Sequence, residues 1–149
     1  MQLEDILTPE RCFSGIDGVS KKRILTTAAE LIAKTTPALE TDDIFSALMA
    51  REQLGSTGLG NGIAIPHCRV NTCNKIIGSL ITLAEPVDFD AIDGKPVDIL
   101  FVLIVPAVEH EEHIKVLARL AELFNEEDFC YTLRHTHDNA DLYTVAITY

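Results

Sequence analysis

Val97-Asp98-Ile99-Leu100-Phe101-Val102-Leu103-Ile104-Val105 carries apolar side chains at successive positions, where a strand with one wet face would alternate. From Phe101 to Val105 the run has no polar side at all, which reads as a central strand covered on both sides. Helices must therefore lie on both faces of its sheet. A second β-like run, Ile76 to Ala84, comes before it, and turn signals at Asp93-Gly94 and Pro96 separate the two.

The chain around these strands reads as helices. Ser20 is the expected N-cap of a helix with Ile24, Leu25, Ala28, Leu31 and Ile32 on one face, and Pro37 lies past its end. A second helix is expected from about Asp42 to Leu54-Gly55, with acidic residues in its first turn and Ile44, Phe45, Leu48 and Met49 inward. A third begins near Glu109, its stripe formed by Ile114, Leu117, Ala118, Ala121 and Phe124, with a stop at Asn125. Two more are expected, from about Glu126 to Arg134 and from Asp138 to near Ile147, the last with Leu142, Val145 and Ala146 inward. At the start, Leu3 to Leu7 reads as a single helical turn and Cys12 to Ile16 as a strand ended by Asp17-Gly18. The fold class expected is α/β, one domain over residues 1–149, with a mostly buried sheet flanked by helices on both faces. Strand order is not readable from these patterns.

Composition narrows the function. A chain of 149 residues that is 47% apolar has enough core for one domain without disulfide staples. Its four cysteines are therefore expected to be reduced and the protein cytoplasmic, with no signal-peptide pattern at Met1-Gln2-Leu3-Glu4. A net charge of -11 argues against nucleic acid or an anionic membrane surface and favours a partner with a basic patch. The longest apolar stretch, Ile99 to Ala107, is too short for membrane insertion.

The chemistry concentrates in Gly55-Ser56-Thr57-Gly58-Leu59-Gly60-Asn61-Gly62-Ile63-Ala64-Ile65-Pro66-His67. Glycines allow positive φ and close approach of backbone N–H groups to an anion. The stretch lacks the Gly-Lys-Ser/Thr ending of a Walker loop and the strand-to-helix context of a dinucleotide fingerprint. Instead, the stretch ends in a histidine. A neutral imidazole can attack phosphorus near neutral pH and later leave again, so His67 is the candidate phosphoryl acceptor. Its bland alternative is a packed structural histidine.

Backbone N–H groups, including that of Gly62, with Ser56, Thr57 and Asn61, are candidate phosphate donors. Arg51 is either a cation for the phosphate or a partner of its helix dipole. His113 is the candidate second histidine at the rim of the core, with His110 competing for that place.

Arg51-Glu52-Gln53-Leu54 together with the glycine stretch through His67 resembles the active-site segment of the fructose/mannitol class of enzyme IIA proteins of the bacterial phosphotransferase system, PTS EIIA type 2. The nitrogen-regulatory branch is the nearest match. Phe89-Asp90-Ala91-Ile92-Asp93, Pro96-Val97-Asp98, Val105-Pro106 and His113-Ile114 with Leu117 resemble it as well. The resemblance implies a mixed sheet between helices and a phosphoryl group taken by His67 from a phosphohistidine carrier, HPr or its nitrogen-branch counterpart, with His113 assisting. It also implies regulatory protein targets downstream and neither nucleotide, metal nor other cofactor. Cys68 departs from the glycine common in the family, and the acidic run Glu109 to Glu112 is expected on the outer helix face.

Two other functions compete with a regulatory phosphoryl carrier. One is a sugar-transport enzyme IIA that passes phosphate to a fructose/mannitol-type IIB component. The other is a zinc hydrolase using His67, Cys68, Cys73, His110 and His113, whose spacings match no common zinc pattern.

Overall fold

A computed structural model describes residues 2–108 and 111–149. After two single 3-10 turns, Leu3–Asp5 and Pro9–Arg11, the elements are β1 (Cys12–Ile16), α1 (Lys21–Thr35), α2 (Thr41–Gln53), β2 (Gly58–Gly60), β3 (Ile63–Ala64), β4 (His67–Val70), β5 (Ile77–Val87), β6 (Val97–Pro106), α3 (Glu111–Phe124), α4 (Glu127–Arg134) and α5 (Asn139–Thr148). Glu109 and His110 lie outside the described residues.

The double-faced apolar run is the middle of the sheet. β6 pairs antiparallel with β5 on one side and parallel with β3 and β4 on the other. β1 runs parallel beyond β5, and β2 closes the opposite edge against β3, so the sheet is mixed. Alternation divides β6 between two cores. Leu100, Val102 and Ile104 pack in one with α1 and α2, while Ile99, Phe101, Leu103 and Val105 pack in the other with α3, α4 and α5. The expected helices on both faces are both present.

Most helix boundaries follow their sequence signals. The Ser20 hydroxyl accepts from the N–H of Arg23 and caps α1, and Asp138 caps α5 through the N–H of Asp141. The apolar stripe of α3 differs from the expectation. Val116, Leu120, Leu123 and Phe124 face the core and Leu117 packs at its edge, whereas Ile114 is 65% exposed and Ala118 and Ala121 face solvent. Two apolar rows of helical period overlap in this segment, and the helix turns the row with the larger side chains inward.

The glycine stretch is more ordered than a loop. Gly60-Asn61-Gly62-Ile63 is a two-residue hairpin turn, with φ of 57° at Asn61 and 83° at Gly62. Asn-Gly suits such a turn because both central residues need positive φ.

Gly78, the second residue of β5, packs against Phe101, and a Cβ built there would lie 2.6 and 2.8 Å from ring atoms of that side chain. Phe101 is fully buried and cannot swing away. Gly78→Ala is expected to destabilise the fold by about 1–3 kcal/mol through overpacking, read as a lower urea midpoint at unchanged m.

Candidate active site

β4 begins at His67 because Pro66 delivers the chain to the sheet. The Pro66 carbonyl accepts from the N–H of Leu103, and His67 then stands opposite Leu103 in register. Strand alternation sends Ile63, Ile65 and His67 to the α3 side and Cys68 to the α1/α2 core. The rings of His67 and His113 meet there, 5.4 Å between centroids and tilted by 53°. The two histidines singled out in the sequence are thus neighbours, although 46 positions separate them.

The tautomer of neutral His67 is set by one contact. Its Nδ1 lies 2.8 Å from the carbonyl oxygen of Ile65, which can only accept, so Nδ1 carries the hydrogen. Nε2 keeps its lone pair. Burial of the ring lowers its pKa below the ordinary 6.5; the Ile65 contact opposes this, Arg51 reinforces it, and Glu52 opposes it more weakly. His113 lies in the first turn of α3, half-buried, with its Nε2 shielded from solvent. Arg51, in the last turn of α2, donates to the carbonyl of Gly55 at 3.0 Å while its charge is felt at His67.

The remaining candidates are engaged in holding the glycine stretch. The Ser56 hydroxyl donates to the Phe89 carbonyl at 2.7 Å and accepts from the N–H of Gly58 at 3.1 Å. Thr57 is buried, and its hydroxyl donates to the Glu52 carboxylate. Asn61 and Gly62 are placed elsewhere. Ile63 pairs with Ile99 and His67 with Leu103, so the Asn61-Gly62 turn lies beyond four strand residues, about 13 Å or more along β6. There the N–H of Asn61 donates to Asp93 at 2.8 Å and its carbonyl accepts from Arg134 at 2.7 Å.

Glu52, quoted above within the resembling segment but given no role there, is a supporting residue. Its buried carboxylate meets Lys21 Nζ at 2.7 Å and receives both the hydroxyl and, at 3.4 Å, the N–H of Thr57. Lys21 also reaches the Phe89 carbonyl at 3.4 Å. This clamp joins α1, α2, the glycine stretch and the 89–90 segment behind the site. The available signal was a lone glutamate on the inner side of an amphipathic helix, five residues before a threonine.

The thiols stand apart from this cluster. Cys12, Cys68, Cys73 and Cys130 are all free and buried, and burial pushes the Cys68 thiol up to about 12. Glu111 and Glu112 point outward, as expected of the acidic helix start. Among the described residues, no group of three or more His, Cys, Asp or Glu side chains is arranged to hold a metal ion.

This geometry yields two expectations. In an NMR titration His67 should show a midpoint below 6.5, with the hydrogen on Nδ1 in the neutral form. Because the native state resists protonation more than the unfolded chain does, this contribution to stability is full above pH 6.5 and is lost as pH falls through the lower native value. His67→Gln should remove that part of the pH dependence. Glu52→Ala should cost about 2–4 kcal/mol in chemical denaturation, because it leaves Lys21 and Thr57 facing a vacated buried site. Glu52→Gln, which still offers an acceptor to Thr57, should cost less.

Comparison with known proteins assigns the chain. The family profile for "Phosphoenolpyruvate-dependent sugar phosphotransferase system, EIIA 2" matches residues 5–147. A nitrogen regulatory protein of Pseudomonas aeruginosa is 46% identical over 147 residues, 99% of this chain and 96% of that protein. The crystal structure of nitrogen regulatory protein IIA-Ntr from Neisseria meningitidis superposes with a TM-score of 0.88 at 37% identity, covering 95% of this chain and 97% of that one. IIA mannitol from Escherichia coli shares the fold, with a TM-score of 0.79 at 23% identity over 94% of this chain and 98% of that one. The mixed six-stranded sheet and these matches agree: the chain belongs to the EIIA type 2 family of the phosphoenolpyruvate-dependent phosphotransferase system, as a homologue of the nitrogen regulatory proteins.

Proposed function

We propose that the protein accepts a phosphoryl group on His67 Nε2 from the phosphohistidine of an HPr-like carrier and signals through its phosphorylation state. The observation that carries this reading is the Nδ1 contact to the Ile65 carbonyl, which fixes the neutral tautomer with the Nε2 lone pair available. In the transfer, that lone pair forms the new N–P bond as the donor's P–N bond breaks. The bonding electrons return to the donor imidazole, which leaves neutral because its other ring nitrogen carries a hydrogen, while the hydrogen on His67 stays on Nδ1 and is still donated to the Ile65 carbonyl. The step as written balances without a nucleotide or a metal.

Arg51 supports the incoming negative charge, and His113 lies close enough to assist at the phosphoryl oxygens. Ser56 and Thr57 act through the shape of the loop, since their hydroxyls are committed to Phe89 and Glu52. The roles expected of Asn61 and Gly62 shift the same way, to shaping the hairpin. Apolar side chains beside the site, Leu54 after α2 at 85% exposure and Ile114 next to His113, offer a carrier protein a docking surface. Regulation, in preference to sugar uptake, is supported by the near full-length likeness to nitrogen regulatory proteins. Phosphorylation would then change the charge beside that surface and so the choice of downstream protein.

Incubation with the phosphoenolpyruvate-driven relay, followed by intact-mass measurement, tests the proposal. Wild type should gain one acid-labile phosphoryl group and His67→Ala none. His113→Ala should still be labelled but pass the group on about 10–100-fold more slowly. An unlabelled wild type would sink the reading, and a labelled His67→Ala would move the site. Transfer of label onward to a sugar through a IIB component would favour the transport role.

A further inference from the structure

A concavity lined by described residues lies away from His67. It opens at the far end of the glycine hairpin, holds about 700 Å3, and has the Asn61-Gly62 turn as its floor. That volume lies within the range of small-ligand pockets. The floor is rigidly placed. A Cβ on Gly62 would lie 2.6 Å from Arg134 Nη2 and 2.9 Å from Asp98 Oδ1, so the turn is packed directly onto that ion pair. Arg134 Nε donates to both Asp98 oxygens, at 3.0 and 3.1 Å, while Nη2 donates to Asp98 Oδ1 at 3.0 Å and to the Asn61 carbonyl at 2.7 Å. Arg134 and Asp98 therefore neutralise one another.

The lining charges left after this pair are Lys95, Glu127 and Asp128, all exposed. Phe124 and Tyr131 add apolar and aromatic surface, and the Tyr131 side chain is open to solvent. One cation and two carboxylates are the complement of a ligand with one carboxylate and two cationic groups. We propose that this groove binds a free basic amino acid, arginine or lysine. Its α-carboxylate meets Lys95, its ammonium and side-chain cation meet Glu127 and Asp128, and its aliphatic stem lies against Phe124 and Tyr131. The chain's net charge of -11 draws in a net cation from a distance. The inference is independent of the phosphoryl chemistry at His67.

The test is titration of the 15N-labelled, unphosphorylated full chain with L-arginine, L-lysine, agmatine and L-glutamate at about 0.15 M salt. L-Arginine or L-lysine should give saturable shifts centred on the amides of Asn61, Gly62, Lys95 and Tyr131. Agmatine, which lacks the carboxylate, should bind at least about fivefold more weakly than L-arginine, and L-glutamate should not saturate. Lys95→Ala should erase the preference for L-arginine over agmatine, and the double variant Glu127→Gln/Asp128→Asn should weaken L-arginine by about fivefold or more. These are surface changes that leave the Arg134–Asp98 pair intact. Absence of saturation with both basic amino acids, shifts scattered over the acidic surface, or equal affinity for agmatine and L-arginine would overturn the proposal.

Discussion

The arrangement of the site depends on one buried carboxylate. Glu52 sits at the end of α2 with its side chain inside the protein, where a lone ionised carboxylate would cost several kcal/mol. Lys21 supplies the opposite charge and Thr57 two hydrogen bonds, so the carboxylate's oxygens are shared between the start of α1 and the start of the glycine hairpin. Because the N–H of Ile65 donates to the Thr57 carbonyl and the Ile65 carbonyl receives His67 Nδ1, the clamp continues by two further hydrogen bonds to the imidazole. The orientation of His67 is thus set by backbone groups that are themselves tied to a buried ion pair. A glycine-rich segment has the most conformational freedom to lose on folding, and such ties are what hold it in one conformation.

Much of the architecture could be read from residue patterns because large energies stood behind them. The unbroken run from Phe101 to Val105 has no solvated face available to it, and burial on both sides of β6 is the consequence. Ser20 and Asp138 announced helix starts because each cap bond is local and needs no tertiary partner. Where two solutions had similar local cost, the sequence was ambiguous. Ile114-Leu117-Ala121 and Val116-Leu120-Leu123 are both helical stripes beside Phe124, and burial of the larger side chains in the core shared with β6 selects the second. The short strands β2, β3 and β4 carry too few residues for alternation to show, yet Asn61-Gly62 was a hairpin signal in plain view. Its glycines suggested a ligand cradle, and a turn requirement explains them without one.

The candidate site was legible in its two histidines and opaque in its support. His67 and His113 stand out because imidazole is uncommon and chemically specific. Their approach to 5.4 Å depends on β4 and α3 flanking the same end of β6, a matter of sheet order that no local pattern encodes. Ser56 and Thr57 were chosen for their hydroxyls, but a hydroxyl within reach of a carbonyl or carboxylate in the same fold satisfies that partner first. Lys21 and Glu52 are 31 positions apart in sequence, and their pairing exists only once α1 and α2 pack side by side.

Charge balance around His67 shows why the support matters to the chemistry. A phosphoryl group on His67, as proposed, would bring about two negative charges to a chain whose net charge is already -11. Most of that charge is irrelevant to the step, since exposed carboxylates beyond a Debye length of about 8 Å are largely screened. Glu52 is different, being both near the ring and buried, where screening is weak. Left alone it would repel the phosphate with an energy of about 2 kcal/mol at 8 Å for unit charges at an effective dielectric of 20. Lys21 pairs with it at a contact of 2.7 Å, and Arg51, on the same turn of α2, outweighs it at the ring. The buried carboxylate can therefore organise the glycine hairpin without opposing the phosphoryl group proposed for His67.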